Sequence, residues 1–246
     1  MAELPAASDW SRLASWYDQL LAAGSGPHET ALATLLRLVP DDLAGANLID
    51  VACGQGLATR ALADAGAASV VGVDSAPAML EIARGRTAGD APISWRLDDA
   101  QRLAAFGPAR FDGATCQLGL MDIPDLPAAL SAIRRVLKPR RWFVFVIGHP
   151  CFLAPHASTE RSGDGRLGRL ITRYLDEEFW RSSNPNGVRG RAGNHHRPLG
   201  VYLNALLAAG FQLDAVEEPR ASPLLLAQQP VYRHIPIFFA ARVLAA

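Results

Sequence analysis

Apolar strands alternate with amphipathic helices between residues 46 and 149, and this alternation constrains the fold more than any other feature. Five strand-like runs, "NLIDVAC", "ASVVGVD", "ISWRLD", "RFDGATCQL" and "RWFVFVIGH", are mostly separated by helical patterns. Strands joined by single helices pair in parallel through right-handed crossovers. With two later runs, "FQLDAVEE" and "IPIFFAARVLA", the pattern predicts an α/β fold. Its sheet is doubly wound, mostly parallel and seven-stranded, and its ligands lie at the carboxyl ends of the strands.

The segments on either side of this core predict a cap and an insertion. Apolar residues at helical spacing predict one helix over 9–23 and another from Pro27 to about Val39, within a helical cap over 1–40. After the fifth strand, the segment 150–198 predicts an amphipathic helix over 166–180 followed by a long loop over 181–197. A loop of that length indicates a lid or a disordered segment. No second domain is apparent, so residues 1–246 are interpreted as one domain.

Composition excludes several classes of protein. Of the 246 residues, 24 are basic and 24 acidic, so there is no general attraction to nucleic acid or to a membrane surface. No apolar run is long enough to span a membrane, and "MAELPAASDW" lacks the features of a secretory signal. We therefore expect a cytoplasmic protein. The three cysteines match no zinc spacing, so no metal is expected.

The stretch "LIDVACGQG" places an acid inside a buried strand, directly before a glycine-containing loop. A carboxylate at Asp50 needs either a structural donor or a ligand as its partner. Gly54 and Gly56 permit close approach of a ligand, but Thr59 stands where a dinucleotide site has its third glycine. Asp74 ends the second strand, where a carboxylate can accept both hydroxyls of a ribose. An acid before the glycines favours a ligand that also carries an ammonium group.

Taken together, these segments resemble class I S-adenosylmethionine-dependent methyltransferases. The resemblance is carried by "LIDVACGQG", "VVGVDSAPAML", "RLDDAQRL", "FDGATCQLGLMDIPD" and "AIRRVLKP". The later "HRPLGVYLNALLAAGF" and "VEEP" are similar to bacterial methyltransferases that act on small molecules, including those of secondary metabolism. One departure is the pair Arg140-Arg141, where the family has two glycines.

The resemblance implies S-adenosylmethionine as cofactor, with S-adenosylhomocysteine as its product, and a role for each matching residue. Asp50 and the backbone from Ala52 through Gly54 to Gly56 would hold the methionine end, and the Cys116 backbone would meet its ammonium group. Asp74 would bind the ribose. The remaining cofactor contacts would be Ser75 and Met79 beside the adenine, Asp99 and Ala100 at its edge (with Asp98 as the alternative to Asp99), and Tyr17 from a helix that closes over the site.

The acceptor side is predicted from position. His149 follows the fifth strand, where a methyl acceptor should sit, so it is either a general base or a structural hydrogen-bonding residue. His196, beside His195 in the lid, is a second catalytic candidate. Aromatic and apolar side chains that could line the acceptor pocket include Trp16, Met121, Phe152 and Tyr174.

Three functions stay open from the sequence. The first is methylation of a small, aromatic or apolar acceptor by a monomer or homodimer. The second is an RNA or protein methyltransferase, because Arg181, Arg189, Arg191 and Arg197 make the 181–197 segment basic. The third is a protein that keeps the cofactor-binding fold without methylating, since fold does not determine function.

Overall fold

The computed structural model of the chain describes residues 8–246. The first seven residues of the predicted cap, which also begin the stretch "MAELPAASDW", lie outside the described residues. Two helices begin the described chain, α1 (Trp10–Ala22) and α2 (Gly26–Leu38). The alternating segment follows as β1 (Asn47–Val51), α3 (Leu57–Asp64), β2 (Ser69–Asp74), α4 (Pro77–Gly85), β3 (Ile93–Leu97), β4 (Phe111–Gln117), α5 (Leu126–Val136) and β5 (Leu137–Gly148).

The rest of the chain forms an insertion and then returns to the sheet. The insertion contains β6 (Ser158–Arg161), β7 (Leu167–Leu170), β8 (Glu178–Trp180), α6 (Val188–Arg191) and β9 (Asn194–His196). The chain then continues as α7 (Leu199–Ala208), β10 (Phe211–Glu217), α8 (Pro223–Gln228), a 3₁₀ turn over Pro230–Arg233, and β11 (Phe238–Ala245). The sequence had not predicted α8 or the 3₁₀ turn. No helix among residues 8–246 has both the length and the apolar character needed to cross a membrane.

Seven strands form one sheet in the order β10-β11-β5-β4-β1-β2-β3. The pairs β1–β2, β1–β4, β2–β3 and β4–β5 are parallel, whereas β11 runs antiparallel to both β5 and β10. The predicted doubly wound, mostly parallel sheet is confirmed. The strand order reverses between β1 and β4, which is where ligands bind in open sheets of this kind.

The strongest strand, β5, shows how the sheet is buried on both faces. Phe143 and Phe145 belong to the hydrophobic cluster on one face, with α5 and α7. Val144 and Val146 belong to the cluster on the other face, with α2 and α3. This assignment follows from the two-residue period of a strand, and it explains why the sequence shows a continuous apolar run rather than alternation.

The insertion differs from its prediction, and the helix expected over 166–180 is wrong. The segment instead contributes β7 of a hairpin with β6, and then β8. The hairpin turn closes through Gly165, whose φ is +84°, and through a hydrogen bond of 2.9 Å from the Ser162 amide to the Arg166 carbonyl. The hairpin turn at the start of residues 166–180 and Gly168 within that segment both disfavour a helix. They outweigh the helical spacing of its apolar residues.

The segment 181–197 is likewise not an unbroken loop. It contains α6 and β9, and β9 pairs antiparallel with β8. The expectation failed because a polar strand of three residues such as β9 carries no local signal, and β9 forms here through pairing with β8.

The Arg140-Arg141 departure is accommodated without glycine. Strand β5 begins at Leu137, directly after α5 and earlier than expected, and Arg140 adopts a φ of +62°. The pairing between β4 and β5 shifts register between Phe111 and Gly113 at the same level. The step of two positions from Phe111 to Gly113 faces a step of five positions from Leu137 to Trp142, so three extra residues of β5 are absorbed as an irregularity at the amino end of the strands, far from their carboxyl ends.

We expect Gly113→Ala in β4 to lower the free energy of unfolding by about 1–3 kcal/mol, because a methyl group there overpacks the core. A Cβ at this position would lie 2.2 Å from Cζ2 of Trp142, its neighbour on β5. Urea unfolding followed by circular dichroism measures the change. Gly107→Ala is the matched control, because no atom lies within 4 Å of its Cβ position. Equal stability of both variants would contradict this account of the β4–β5 packing.

Candidate functional site: a cavity at the carboxyl ends of the strands

A cavity of about 1100 Å³ opens above the carboxyl ends of the parallel strands, between them and the cap and insertion. Residues 17–28 line it from the cap, and residues 180–197 line it from the insertion. Of the predicted site residues, those that line the cavity are Tyr17, Ala52, Gly54, Asp74, Ser75, Met79, Asp99, Ala100, Met121 and His196. Those that do not are Trp16, Asp50, Gly56, Cys116, His149, Phe152 and Tyr174.

The loop after β1 is tied to the end of β2 by Asp74. One carboxylate oxygen of Asp74 accepts a hydrogen bond of 2.7 Å from the Gly54 amide, and the other accepts one of 2.8 Å from the Ala76 amide. Burial raises the pKa of Asp74, and these backbone hydrogen bonds oppose the rise. Gly54 has a φ of +55°, and no atom lies within 4 Å of its Cβ position. A ligand can therefore approach the backbone closely beside a carboxylate.

The structure identifies the partners of Asp50, which is 1% exposed. Its carboxylate accepts hydrogen bonds from the Thr59 hydroxyl at 2.6 Å and the Thr115 hydroxyl at 2.8 Å. Asp50 thus joins β1 to α3 and β4 below the loop, and it borders only a small recess of about 50 Å³ next to the main cavity. The sequence had allowed either a structural donor or a ligand as the partner of Asp50, and the structure provides structural donors, the two threonine hydroxyls. The proposed contact of Asp50 with the methionine end stays a prediction.

Gly56 and Cys116 also lie beneath the cavity floor. Gly56 begins α3 with a φ of +83°, and a Cβ there would lie 2.2 Å from the Trp95 ring, so its role in the structure is close packing. Cys116 is fully buried in the core. The next residue, Gln117, does line the cavity, and its buried Oε1 has no hydrogen-bond partner among residues 8–246.

These features fit S-adenosylmethionine. An unpartnered acceptor at Gln117 suits an ammonium donor, the open face of Gly54 suits close approach of the methionine end, and Asp74 suits ribose hydroxyls. Asp98 and Asp99 both line the cavity where the adenine edge is expected. The choice between these two acids stays open. Among the described residues, no group of three or more His, Cys, Asp or Glu side chains is placed to hold a metal ion.

A second polar cluster joins the two cap helices and had not been predicted. His28 Nε2 lies 2.7 Å from the Tyr17 hydroxyl, and Nδ1 lies 2.7 Å from the Ser25 hydroxyl. Burial, and next the charge of Arg189, lower the pKa of His28 to about 4. Burial also raises the pKa of Tyr17. Both groups are therefore neutral at neutral pH. The sequence signal that could have predicted this cluster is the three-residue spacing of Ser25 and His28 at the start of a helix.

The insertion is held down by arginines, which sequence reasoning had left as a basic loop. Arg189 forms an ion pair with Asp122 in the loop after β4. Burial raises the pKa of Asp122 to about 6 even though the Arg189 charge opposes the rise. The buried Arg197 guanidinium donates to the carbonyls of Ile123 at 2.8 Å and Pro124 at 2.6 Å.

The other two arginines of this segment also contact the protein. Arg191 lies over the Trp16 ring at 4.5 Å, and Arg181 donates to the Arg191 carbonyl. This stacking explains why Trp16 is outside the cavity. The arginines of the 181–197 segment therefore make internal contacts, which argues against a nucleic-acid surface built from them.

The two candidate catalytic histidines are placed differently. His149 is 2% exposed, accepts the Cys151 amide at Nδ1 (3.2 Å) and lies 2.7 Å from Glu218 through Nε2. Both ring nitrogens are thus engaged outside the cavity, which favours the structural role over the general base. His196 lines the cavity, and its Nε2 lies 2.8 Å from the Tyr174 carbonyl.

The remaining substrate candidates pack around these histidines. The Phe152 ring lies 4.7 Å from the His149 ring, and the Tyr174 hydroxyl accepts the Leu199 amide at 2.9 Å. Met121 is the one that reaches the cavity, from the loop between β4 and α5.

We expect Asp50 to make stability depend on pH. Burial raises its pKa from 3.8 to about 6, opposed by the threonine hydrogen bonds. Between these values the folded protein keeps a proton that the unfolded chain releases, so this carboxyl's contribution to the free energy of unfolding falls as pH rises. Wild type should therefore lose stability relative to Asp50→Asn from about pH 4 to about pH 6. Urea unfolding across this range measures the difference, and parallel curves for the two proteins would contradict it.

Comparison with known proteins agrees with this geometry. A family model described as a methyltransferase domain matches residues 48–140, which run from β1 into β5. An S-adenosylmethionine-dependent methyltransferase structure from Mesorhizobium loti superposes with a TM-score of 0.75 at 26% identity, over 90% of this chain and 99% of that one.

Two sequence relatives differ in coverage. An uncharacterized protein of Haemophilus influenzae is 27% identical over 82% of this chain and 78% of its own length. A ubiquinone biosynthesis O-methyltransferase of Xanthomonas oryzae is 37% identical, but over 40% of this chain and 41% of its own length. The chain thus matches about two fifths of the length of that relative. With the sheet order and the cavity floor, these matches identify a methyltransferase domain over residues 48–140, built on the fold of S-adenosylmethionine-dependent methyltransferases.

Proposed function

We propose that this protein transfers the methyl group of S-adenosylmethionine to a small organic acceptor bound between the strand ends and the insertion. The observation that carries the proposal is the shape of the cavity. Its floor at β1, β2 and β3 suits the cofactor, and its volume of about 1100 Å³ is at the upper end of the range for small-molecule sites. Space for an acceptor is therefore left over.

The lining of the acceptor side supports an apolar or aromatic molecule. Trp180, Tyr202, Tyr232 and Phe238 reach this cavity from four separate parts of the chain. Flat aromatic walls favour flat or apolar ligands, with a small number of polar groups to orient them. In methyl transfer the cofactor loses its positive charge, so an apolar enclosure does not oppose the reaction, and positioning supplies most of the rate enhancement.

The relative named for ubiquinone biosynthesis supports an oxygen atom as the methyl acceptor. Because that match covers only 40% of this chain, it supports the type of chemistry more than the identity of the acceptor. An RNA or protein acceptor is less favoured, since the arginines that suggested it contact Trp16, Asp122 and backbone carbonyls. The remaining alternative is a protein that binds the cofactor without transferring its methyl group, and the experiments below distinguish it from a methyltransferase.

We expect Asp74→Ala to weaken S-adenosylmethionine binding by about 1–3 kcal/mol, because ribose hydroxyls lose a buried charged acceptor. Isothermal calorimetry measures the affinity. Asp90→Ala, at an exposed position after α4, is the matched control and should bind as wild type does. Asp74→Asn keeps one oxygen for the Gly54 amide, so it separates loss of charge from loss of the loop. Unchanged affinity in folded Asp74→Ala, or micromolar binding of NAD to wild type, would contradict the proposal.

Methyl transfer itself is tested with an extract of the source organism. Incubation with protein and cofactor, followed by mass spectrometry, should show one compound that gains a methylene mass. Cofactor binding with no such product from small-molecule, RNA or protein fractions would instead support the non-methylating alternative.

For His149 we expect an effect on stability rather than on cofactor binding. His149→Ala leaves the Glu218 carboxylate and the Cys151 amide without their partner, which should cost about 1–3 kcal/mol of unfolding free energy. His149→Gln should recover part of this loss, because its amide can still donate to Glu218. The decisive comparison is the rate of product formation in the extract assay. A hundredfold loss in both variants with stability intact would restore the general-base role.

A further inference from the structure

Trp180 and Asn194 in the insertion each have a buried polar atom with no hydrogen-bond partner among residues 8–246. These atoms are the indole Nε1 of Trp180, which can only donate, and the side-chain Oδ1 of Asn194, which can only accept. Both residues line the cavity. Leaving such an atom unpaired in a buried position is costly, so each one calls for an explanation.

The two residues face the same side of their ribbon. Trp180 in β8 and Asn194 in β9 are directly paired in the antiparallel register. Residues opposite each other in such a pair project to the same face, with Cβ atoms about 4.5–5.5 Å apart. Phe179 and His195, one position away on each strand, contact each other with ring centroids 5.0 Å apart and ring planes tilted by 58°. A donor and an acceptor are therefore presented side by side.

The position of this pair is on the acceptor side of the cavity. The His195 amide, next to Asn194, donates to the Met121 carbonyl at 2.8 Å, which holds β9 against the loop after β4. The residues suited to the cofactor lie instead at the ends of β1, β2 and β3. The unpaired atoms thus belong to the half of the cavity that the cofactor leaves free.

We propose that Trp180 and Asn194 form a subsite for a hydroxyl group of the methyl acceptor. A hydroxyl is the smallest neutral group that accepts one hydrogen bond and donates another at a single atom, and two side chains this close converge on a small group. The indole N–H donates to the hydroxyl oxygen, and the hydroxyl hydrogen is donated to Asn194 Oδ1. This inference rests on the proposed function for the identity of the occupant, which is an acceptor that carries a hydroxyl on an apolar or aromatic frame.

The test uses phenol as the probe and the indole resonances as the readout. The protein has five tryptophans, and the spectrum of Trp180→Phe identifies the indole peak of Trp180. With S-adenosylhomocysteine present, phenol should shift that peak downfield in a saturable manner. Anisole, which only accepts, should bind more weakly, and toluene, which does neither, should cause no downfield shift. Equal shifts with toluene, or no shift with phenol, would overturn the proposal and mean that water alone satisfies these atoms.

Variants separate the subsite from general effects. Asn194→Leu should weaken phenol binding about five- to tenfold in the indole titration, the size expected for one lost hydrogen bond. Asn204→Leu, on the exposed face of α7, is the matched control. Trp180→Phe, followed through the phenol signals, should show a similar loss. Phenol affinity unchanged in both subsite variants would overturn the proposal.

Cofactor affinity keeps this test distinct from that of the proposed function. S-adenosylhomocysteine affinity should be the same in Asn194→Leu, Trp180→Phe and wild type, because neither side chain lies at the cofactor floor. Wild type that fails to bind S-adenosylhomocysteine would count against the methyltransferase proposal, whereas normal cofactor binding without a phenol response counts only against the hydroxyl subsite.

Discussion

The hydrogen bond between the Gly54 amide and the Asp74 carboxylate holds the cavity floor together. It joins the loop after β1 to the end of β2, two strands that are neighbours in the sheet but are separated by α3 in the chain. The left-handed backbone at Gly54 directs that amide toward the acid and leaves the other face of the glycine open. The same carboxylate that fixes the loop is therefore the one available to a ribose. Loop geometry and the proposed ribose contact thus involve a single side chain.

The upper wall of the cavity depends on a different kind of interaction. The buried ion pair of Arg189 with Asp122 and the carbonyl contacts of Arg197 connect the insertion to the loop after β4. A buried charge without a partner is strongly unfavourable, so these contacts fix where the insertion sits rather than add greatly to stability. The stacking of Arg191 on Trp16 extends the connection to α1. The cap and the insertion thereby enclose the cavity as neighbours.

The floor could be predicted from sequence because its residues lie in order along an alternating pattern. Asp74, expected from a strand end, and Ser75, Met79 and Ala100, implied by the family resemblance, all line the cavity, and their contacts with the cofactor stay predictions. Thr59 is instructive: its presence weakened the dinucleotide interpretation, and the structure shows that its hydroxyl is a partner of Asp50. That pairing follows from the first turn of α3 lying over β1, which residue type does not reveal.

The insertion and the direction of individual side chains could not be predicted. Strands β8 and β9 form by pairing with each other, and even their nearest paired residues, Trp180 and Asn194, are fourteen positions apart in the chain. Neither strand therefore has a local sequence signature. His149 was expected in the cavity because it follows β5, but a residue at a strand end can face either way, and Glu218 from the end of β10 draws the ring to the other side. Asp122 and His28 were overlooked because burial, which sets their pKa values, is a property of the folded chain.

The loop after β4 is the common attachment point of the whole insertion. Met121 contacts Gly148, where the insertion leaves the sheet, through its sulfur, and contacts His195 through its carbonyl. Arg197, where the chain returns to α7, donates to the carbonyls of Ile123 and Pro124. The point where the insertion leaves the sheet and the point where it returns to α7 thus contact the same few residues of the loop after β4. We therefore expect that a segment of different sequence could replace residues 150–196 only if it preserved these attachments to Met121, Ile123 and Pro124.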